Sequence, residues 1–287
     1  ARFNHPHAQI IYEPFSLFFD TKFQKSHSVP IHIFLKMISA TFSRKDVDAV
    51  NSADVFMTLS DYERRNCLNV YGKDSSIIYE GVDTEYFKPS PIPGILEKYN
   101  GLNIVFHSTG YDSYKGTDLL IKAIPKVIRQ CPGTHFLISH TRENKGKLKG
   151  YMKYLSDHDV LDSVEFLGFL DYKLLPVYYT LSDIYVEPGL GRSMSLSSKE
   201  ANACGTPSIR GEVGTEDIID GVTGILTSSY DEAQLAENII MLLENGPLRA
   251  ELGENARKHV LEQYTWPAVA KRIESNIGSG ERDDSTN

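Results

Sequence analysis

Lys115, Gly116 and Thr117 close the loop "STGYDSY" and open the apolar-periodic stretch "DLLIKAIPKVIRQ". A strand ending near Ser108 and a helix beginning near Gly116 set the ammonium at a helix N-terminus. Free backbone N–H groups there, with the positive end of the helix dipole, make a site for phosphate. The order Lys-Gly-Thr is not the Gly-Lys-Thr of a P-loop, so local pattern leaves two readings. One is a phosphate ligand; the other, simpler one is a solvated lysine ahead of a capped helix. The second candidate is Glu200 in "SSKEANACGTP". Ser197 and Glu200 have the spacing of a capping box, in which hydroxyl and carboxylate each satisfy a backbone N–H. The functional alternative is a carboxylate in a cleft that accepts hydrogen bonds from sugar hydroxyls; on local chemistry the cap is favoured. Gly81-Val82-Asp83, following a strand, reads as a tight turn.

Other chemistries find no support in the residue pattern. The nine histidines are scattered, with no pair at metal-ligand spacing on a convincing helix. His107 ends a strand, where it either faces a cleft or packs. No Ser/His/Asp or Cys/His set can be assembled, so no catalytic residue is assigned. The three cysteines, Cys67, Cys131 and Cys204, are far apart and odd in number. That excludes a disulfide framework and points to a reducing, cytoplasmic compartment. A net charge of -8 with mixed signs argues against a protein that coats nucleic acid. No run approaches the ~20 apolar residues of a membrane span. The first residues lack the pattern of a signal peptide, and the missing initiating Met suggests a trimmed chain or a fragment.

These candidates must be positioned by alternating short strands and amphipathic helices. "AQIIY", "DVFMTLS" and "SSIIYEG" read as strands. "PIHIFLKMISATFSRKDVDAVNSA" and "DYERRNCLNVYG" read as helices. "FKPSPIPGILEKYNG" breaks the rhythm with prolines and glycines and reads as a linker. The alternation then restarts. "LNIVFHS", "THFLISH", "SVEFLG", "DIYVEP" and "TPSIRG" are strands separated by helical segments, and helices follow from "DEAQLAENIIMLLEN" onward. Two blocks of this kind predict an α/β protein with parallel sheets in two Rossmann-like lobes, its ligand outside the carboxyl ends of the strands. The tail, residues 278–287, is polar and expected to be disordered.

The pieces, taken in order, resemble glycosyltransferase family 4. "SDYERRNCLNVYGKDSSIIYEGVDTEYFKP" is similar to the segment leading to that family's interdomain linker. "YKGTDLLIKAI" resembles its Lys-Gly helix start, and "VEFLGFLDYKLLPVYYTLSDIYVEP" the elements that follow. "KEANACGTPSI" and "DIIDGVTGIL" resemble its Glu-Ala-x-Ala-x-Gly-x-Pro and Asp-Gly-x-x-Gly signatures. The resemblance covers nearly all of the chain. It implies the GT-B architecture, with residues 1–87 forming an N-terminal, acceptor-side lobe that is incomplete. Residues 88–261 would form the nucleotide-sugar lobe, and a helix over 262–277 would cross back to the first. It further implies retaining transfer of a sugar from a nucleotide-diphosphate donor to a glycan or lipid-linked acceptor, without cofactor or bound metal. No nucleic-acid partner is expected. Peripheral association with the inner face of a membrane accompanies a lipid-linked acceptor.

By position, the resemblance gives Lys115 and Gly116 to the donor diphosphate and Glu200 to the ribose. It sets Gly168, Phe169 and Leu170 near the base, and Arg192, Ser193, Met194, Ser195 and Leu196 in the loop approaching sugar and phosphate. Three positions depart from the family pattern. Arg192 stands where the first of two spaced glutamates is usual, Gly110 where an Arg is usual, and Tyr12 where relatives often have His. Arg192 either replaces a lost diphosphate charge or pairs with an acidic sugar. Two alternative functions stay open: a nucleotide-sugar-binding pseudoenzyme or partner subunit without turnover, and a non-transferring enzyme of the same architecture, such as a sugar epimerase.

Overall fold

The computed structural model describes residues 8–11, 47–90, 94–110, 115–140, 144–189, 195–212 and 215–280. Outside them lie most of the helical stretch expected from residue 30, Tyr12, the loop residues Arg192, Ser193 and Met194, and the tail from residue 281. By packing, the chain divides into two units. The first combines Ala1–Glu80 with Pro267–Asn287, and the second is Gly81–Trp266.

In the first unit, β1 (Ala8–Ile11), β2 (Val55–Thr58) and β3 (Ser76–Ile77) form a parallel sheet in the order β1-β2-β3. Strand β2 is central and buried on both faces, with Val55, Phe56 and Met57 apolar and the Thr58 hydroxyl 2.9 Å from that of Ser75. Val55 and Met57 pack with Leu59, Ile78 and Ile273 on one side. Phe56 packs with Val50, Cys67 and Tyr71 on the other, following the two-residue period of a strand. Helix α1 (Asp61–Tyr71) begins where Ser60 accepts from the Glu63 N–H at 3.1 Å. It ends at Gly72, which takes φ 66 and donates to the Leu68 carbonyl. Strand β3 is shorter than expected, and the chain leaves extended geometry at Tyr79, which has φ 60.

The second unit carries a six-stranded parallel sheet in the order β6-β5-β4-β7-β8-β9. Its strands are β4 (Asn103–His107), β5 (Thr134–Ser139), β6 (Val164–Gly168), β7 (Ile184–Glu187), β8 (Ser208–Gly211) and β9 (Gly224–Thr227). The helices between them are α2 (Thr117–Gln130), α3 (Lys145–Asp157), α4 (Leu175–Leu181) and α5 (Leu196–Ala203), and α6 (Glu232–Glu244) comes after β9. Helices α7 (Gly246–Gln263) and α8 (Trp266–Gly280) follow. Leu120, Ile124 and Val127 recur at helical spacing on α2 and are buried against the sheet and against Leu235, Ile239 and Leu242 of α6. Each contributes about 1.5–3 kcal/mol on leaving water, so packing rather than intrinsic propensity holds α2 in place. The strand order reverses direction between β4 and β7, which opens a crevice at their carboxyl ends. The expectation of an α/β protein with parallel sheets is met. Strand β9, whose residues the sequence reading gives to the Asp-Gly-x-x-Gly signature and not to a strand, is four residues long and begins at Gly224.

The sequence reading sets the linker after Phe87, whereas the packing division falls between Glu80 and Gly81. The reason is aromatic. Tyr86 stacks on Tyr172 with ring centroids 5.2 Å apart, and Phe87 is buried edge-on against Tyr172 at 5.5 Å. The Val82 N–H donates to the Tyr264 carbonyl at 2.7 Å, and Val82 bridges Thr265. Residues 81–90 thus belong to the second unit. The Gly81-Val82-Asp83 turn is built by Asp83, whose Oδ1 accepts from the Glu85 and Tyr86 N–H groups. At the other end α8 continues through Gly280, so the first residues of the expected tail are helical.

Candidate functional site

Three adjacent strands end in polar side chains where the strand order reverses: His107 on β4, Glu187 on β7 and Arg210 on β8. All three are buried. Glu187 and Arg210 are register partners in the parallel pairing of β7 with β8, and Arg210 Nη1 donates to Glu187 Oε2 at 2.9 Å. The second Arg210 nitrogen reaches the Thr215 hydroxyl at 3.4 Å and lies 4.0 Å from Asp217. Burial pushes the Glu187 carboxyl up. The charge of Arg210, then Lys115 and the Ser195 hydroxyl, outweigh that and hold it below the usual carboxylate range.

The loops after these strands meet at Gly189. Gly116 has φ 82, and a Cβ on it would lie 2.5 Å from the Gly189 nitrogen; a Cβ on Gly211 would strike the Gly189 carbonyl oxygen. Glycine is therefore required at Gly116 by both conformation and space. This close approach brings Lys115, one residue before the α2 N-cap, to Glu187. Its Nζ lies 3.4 Å from Glu187 Oε1. Lys115 is thus neither a free solvated lysine nor buried: its side chain is 32% exposed.

The capping-box expectation for Ser197 and Glu200 is overturned. The N-cap of α5 is Ser195, which accepts from the Ser198 N–H at 3.1 Å and donates to Glu187 Oε2. Ser197 lies inside the helix. Glu200, released from a capping role, accepts from the Tyr179 hydroxyl of α4 at 3.0 Å. Burial, then the charge of Glu200, raises Tyr179 well above a normal tyrosine, so the hydroxyl stays protonated as the donor. Tyr179→Phe is expected to cost about 1–3 kcal/mol, the range for a buried acceptor that loses its donor. Urea unfolding with an unchanged slope checks this.

Of the other expected positions, Leu196 opens α5 and is exposed. Gly168 ends edge strand β6 with φ 71, and its carbonyl accepts from the His140 N–H. Phe169 follows, 73% exposed, and Leu170 is half-buried. Strand β5 separates this segment from β4. The charge of Glu200 acts on Tyr172, just beyond the segment. Gly110, where the resemblance expects an arginine, has φ 91. That region disfavours any side chain, so the position is occupied by conformation rather than charge. Arg210 does not stand in for the missing cation, because it is sealed among Glu187, Thr215 and Asp217.

His107 packs rather than facing solvent. Its Nδ1 lies 2.7 Å from the Val186 carbonyl, which only accepts, so Nδ1 carries the proton. Nε2 lies 2.9 Å from the Thr117 hydroxyl, which is shared with the Gly110 carbonyl. Burial pulls the imidazole below 6.5, against the opposing pull of the Val186 carbonyl and Glu187. The unfolded chain therefore takes up a proton near pH 6.5 that the folded chain refuses. Stability is full above that pH and declines as the pH falls. His107→Asn, which keeps a donor toward Val186, is expected to flatten the fall in thermal midpoint between about pH 7.5 and about pH 5.5. His135 and His259 are shifted downward by burial too, so part of the decline persists.

The sequence reading misses Glu187, Arg210 and Tyr179. The signal available for the first two is a charge of each sign at the ends of otherwise apolar strands. Among the described residues, no group of three or more His, Cys, Asp or Glu could hold a metal ion, no helix is long and apolar enough to cross a membrane, and the cysteines are free and buried.

The family described as glycosyl transferases group 1 matches residues 91–259. A GDP-mannose-dependent monoacylated alpha-(1-6)-phosphatidylinositol monomannoside mannosyltransferase from Corynebacterium glutamicum is 28% identical over 245 residues, covering 80% of this chain and 63% of that protein. Sucrose-phosphate synthase from Thermosynechococcus elongatus superposes with a TM-score of 0.76 at 22% identity, covering 97% of this chain and 68% of that one. Anabaena HepE in complex with UDP gives 0.77 at 19% identity, covering 96% and 72%. The chain spans about three-fifths of the length of the curated relatives it matches.

Proposed function

Because the chain belongs to the group 1 glycosyl transferases and has the α/β fold with parallel sheets of GT-B structures, we propose that its second unit binds a nucleotide-diphosphate sugar for transfer to a glycan or lipid-linked acceptor. The observation that carries this reading is Lys115, one residue before the N-cap of α2 and 3.4 Å from Glu187 at the end of β7, together with Glu200 on α5, the helix that follows β7. Lys115 and the Gly116 backbone meet the diphosphate, where negative charge develops as the sugar departs. Glu200 accepts from the ribose hydroxyls. Gly168, Phe169 and Leu170 flank the base, and the loop from Arg192 through Ser193, Met194 and Ser195 to Leu196 approaches sugar and phosphate. The donor named for the Corynebacterium glutamicum mannosyltransferase, GDP-mannose, is of this class.

The finer reading is a family 4 type transferase that retains anomeric configuration and uses no bound metal, since lysine and the helix N-terminus supply the positive charge. Its placement is cytoplasmic, at the inner face of a membrane when the acceptor is lipid-linked. The phosphatidylinositol mannoside acceptor in the mannosyltransferase's name supports the latter. A second reading, donor binding without turnover, is favoured by Gly110 at φ 91 in place of an arginine.

Calorimetry against a panel of nucleoside diphosphates and their sugars tests the donor reading. Tight binding of one base series is expected, and binding of none by the folded chain would overturn it. Release of sugar from the bound donor separates a transferase from a binder. The anomeric configuration of the product, read by proton NMR, tests retention.

A further inference from the structure

Glu200 ends a buried chain of hydroxyl groups. The Tyr179 hydroxyl of α4 lies 3.0 Å from Glu200 Oε2 and 3.3 Å from the Ser108 hydroxyl. Ser108, one residue beyond β4, lies 3.1 Å from the Tyr185 hydroxyl of β7. Tyr179 and Tyr185 are wholly enclosed, and Ser108 and Glu200 are buried. Each hydroxyl has a single proton, and a carboxylate only accepts, so the order of donation is determined. Tyr179 spends its proton on Glu200 and must accept from Ser108. Ser108 has then spent its own and accepts from Tyr185. The Ser197 hydroxyl also bonds Tyr185, and it donates, because the tyrosine proton is engaged. Every proton in the chain points toward Glu200, and bonds aligned in one direction polarise and strengthen one another. The Tyr179 ring is held in place by Phe106 and Tyr185, each with its centroid 5.5 Å away, and by Phe87 at 6.1 Å.

We propose that Tyr179 is a positioning residue for the donor's ribose: its hydroxyl, aligned by Ser108, fixes the Glu200 carboxylate so that the site selects ribose over a sugar lacking hydroxyls at C2′ and C3′. This rests on the donor reading given above, in which Glu200 accepts from the ribose. A glutamate side chain has several torsions to order, and a partner that fixes them beforehand removes that cost from the binding step. A site built to bond a hydroxyl rejects the analogue that lacks it, provided its own polar group is held in place. The Tyr179 hydroxyl acts on the carboxylate in two ways of contrary sign. It fixes the direction of the acceptor, and it draws charge from it. Fixing is favoured because the donor sits on an enclosed ring whose hydroxyl is itself set by Ser108 and Tyr185.

The test is calorimetry of wild type, Tyr179→Phe, Ser108→Ala and Glu200→Ala against UDP, GDP and their 2′,3′-dideoxy analogues. The quantity read is the dissociation constant of the dideoxy form divided by that of the ribose form, for the preferred base. Wild type is expected to favour the ribose form about 10–100-fold, and Glu200→Ala to bring the two forms within about twofold of each other. Tyr179→Phe keeps the ring. It is expected to lower the ratio about tenfold, weakening the ribose form and leaving the dideoxy form within about twofold. Ser108→Ala keeps the Tyr179 hydroxyl and removes only the donor that aligns it, so a smaller fall is expected; it serves if the phenylalanine variant fails to fold. A merely structural role would weaken both forms alike and leave the ratio unmoved. A ratio unchanged or raised in either variant overturns the proposal. So does a further change when Tyr179→Phe is added to Glu200→Ala, since Tyr179 acts on the ribose through Glu200. Where Glu200→Ala loses the preference and Tyr179→Phe keeps it, only the proposal falls. If wild type binds no nucleoside diphosphate, the donor reading falls and the proposal with it. If wild type binds both forms equally, the ribose role of Glu200 falls, again with the proposal.

Discussion

Arg210→Ala is expected to destabilise the second unit by about 3–5 kcal/mol, the cost of stripping one partner from a buried ion pair. Against a total stability of about 5–15 kcal/mol for a domain, that is a large fraction. Arg210 is fully enclosed and answers two buried carboxylates: Glu187 through Nη1 at 2.9 Å, and Asp217 near Nη2 at 4.0 Å. Removing it takes the nearest guanidinium from both Glu187 and Asp217. The pH dependence of the loss has a definite sign. In the wild type Glu187 sits below 4.5, so its contribution to stability is full above 4.5 and is lost as pH falls through the folded value. Without Arg210, burial governs and the folded carboxyl sits above its unfolded value, which favours the protonated form. The gap between wild type and variant should therefore narrow as the pH falls toward about 4.5. Urea unfolding at neutral and acid pH measures both quantities; a cost under about 1 kcal/mol at neutral pH would mean the pair is solvated.

Lys115→Ala is expected to weaken nucleoside diphosphate binding by about 10–100-fold, the range for a lost hydrogen bond to a charged group, while nucleoside binding stays within about twofold. The substitution is a clean probe for a structural reason. Lys115 lies outside the core and its carboxylate partner retains Arg210, so the fold does not depend on it. Calorimetry on both ligands measures the two losses. Equal losses would take the diphosphate from Lys115 and leave it a surface cation. The loss should also shrink with added salt, because the contact is partly exposed and therefore screened.

Local signals sufficed for much of the fold. Ser60 and Gly72 bound α1 as cap and stop, because capping is decided within a turn of chain. The apolar runs of β4, β5 and β7 declare buried parallel strands. Lys115 and Glu200 were legible as candidates from type and context. The start of α5 was not legible, since "SMSLSSKE" offers several serines and nothing local ranks them. The choice is made by Glu187 at the end of β7, which accepts from the Ser195 hydroxyl eight residues on. The pairing of Glu187 with Arg210 is invisible for the same reason: the two are 23 residues apart and become neighbours only through the register of β7 with β8. The linker boundary slipped because Phe87 reads as the start of a proline-rich connector, whereas Tyr172 and Tyr179 bury it.

The second unit receives and releases the chain at one point. The Val82 N–H binds the Tyr264 carbonyl at 2.7 Å, and a Cβ on Gly81 would lie 2.6 Å from the Trp266 ring, so the indole rests on bare backbone. In topological terms Gly81–Trp266 is an insert within the first unit's sequence, with its ends clasped by a tryptophan. Such an insert can be excised as one continuous piece, or its ends joined and the chain reopened at an exposed turn, without stretching any connection.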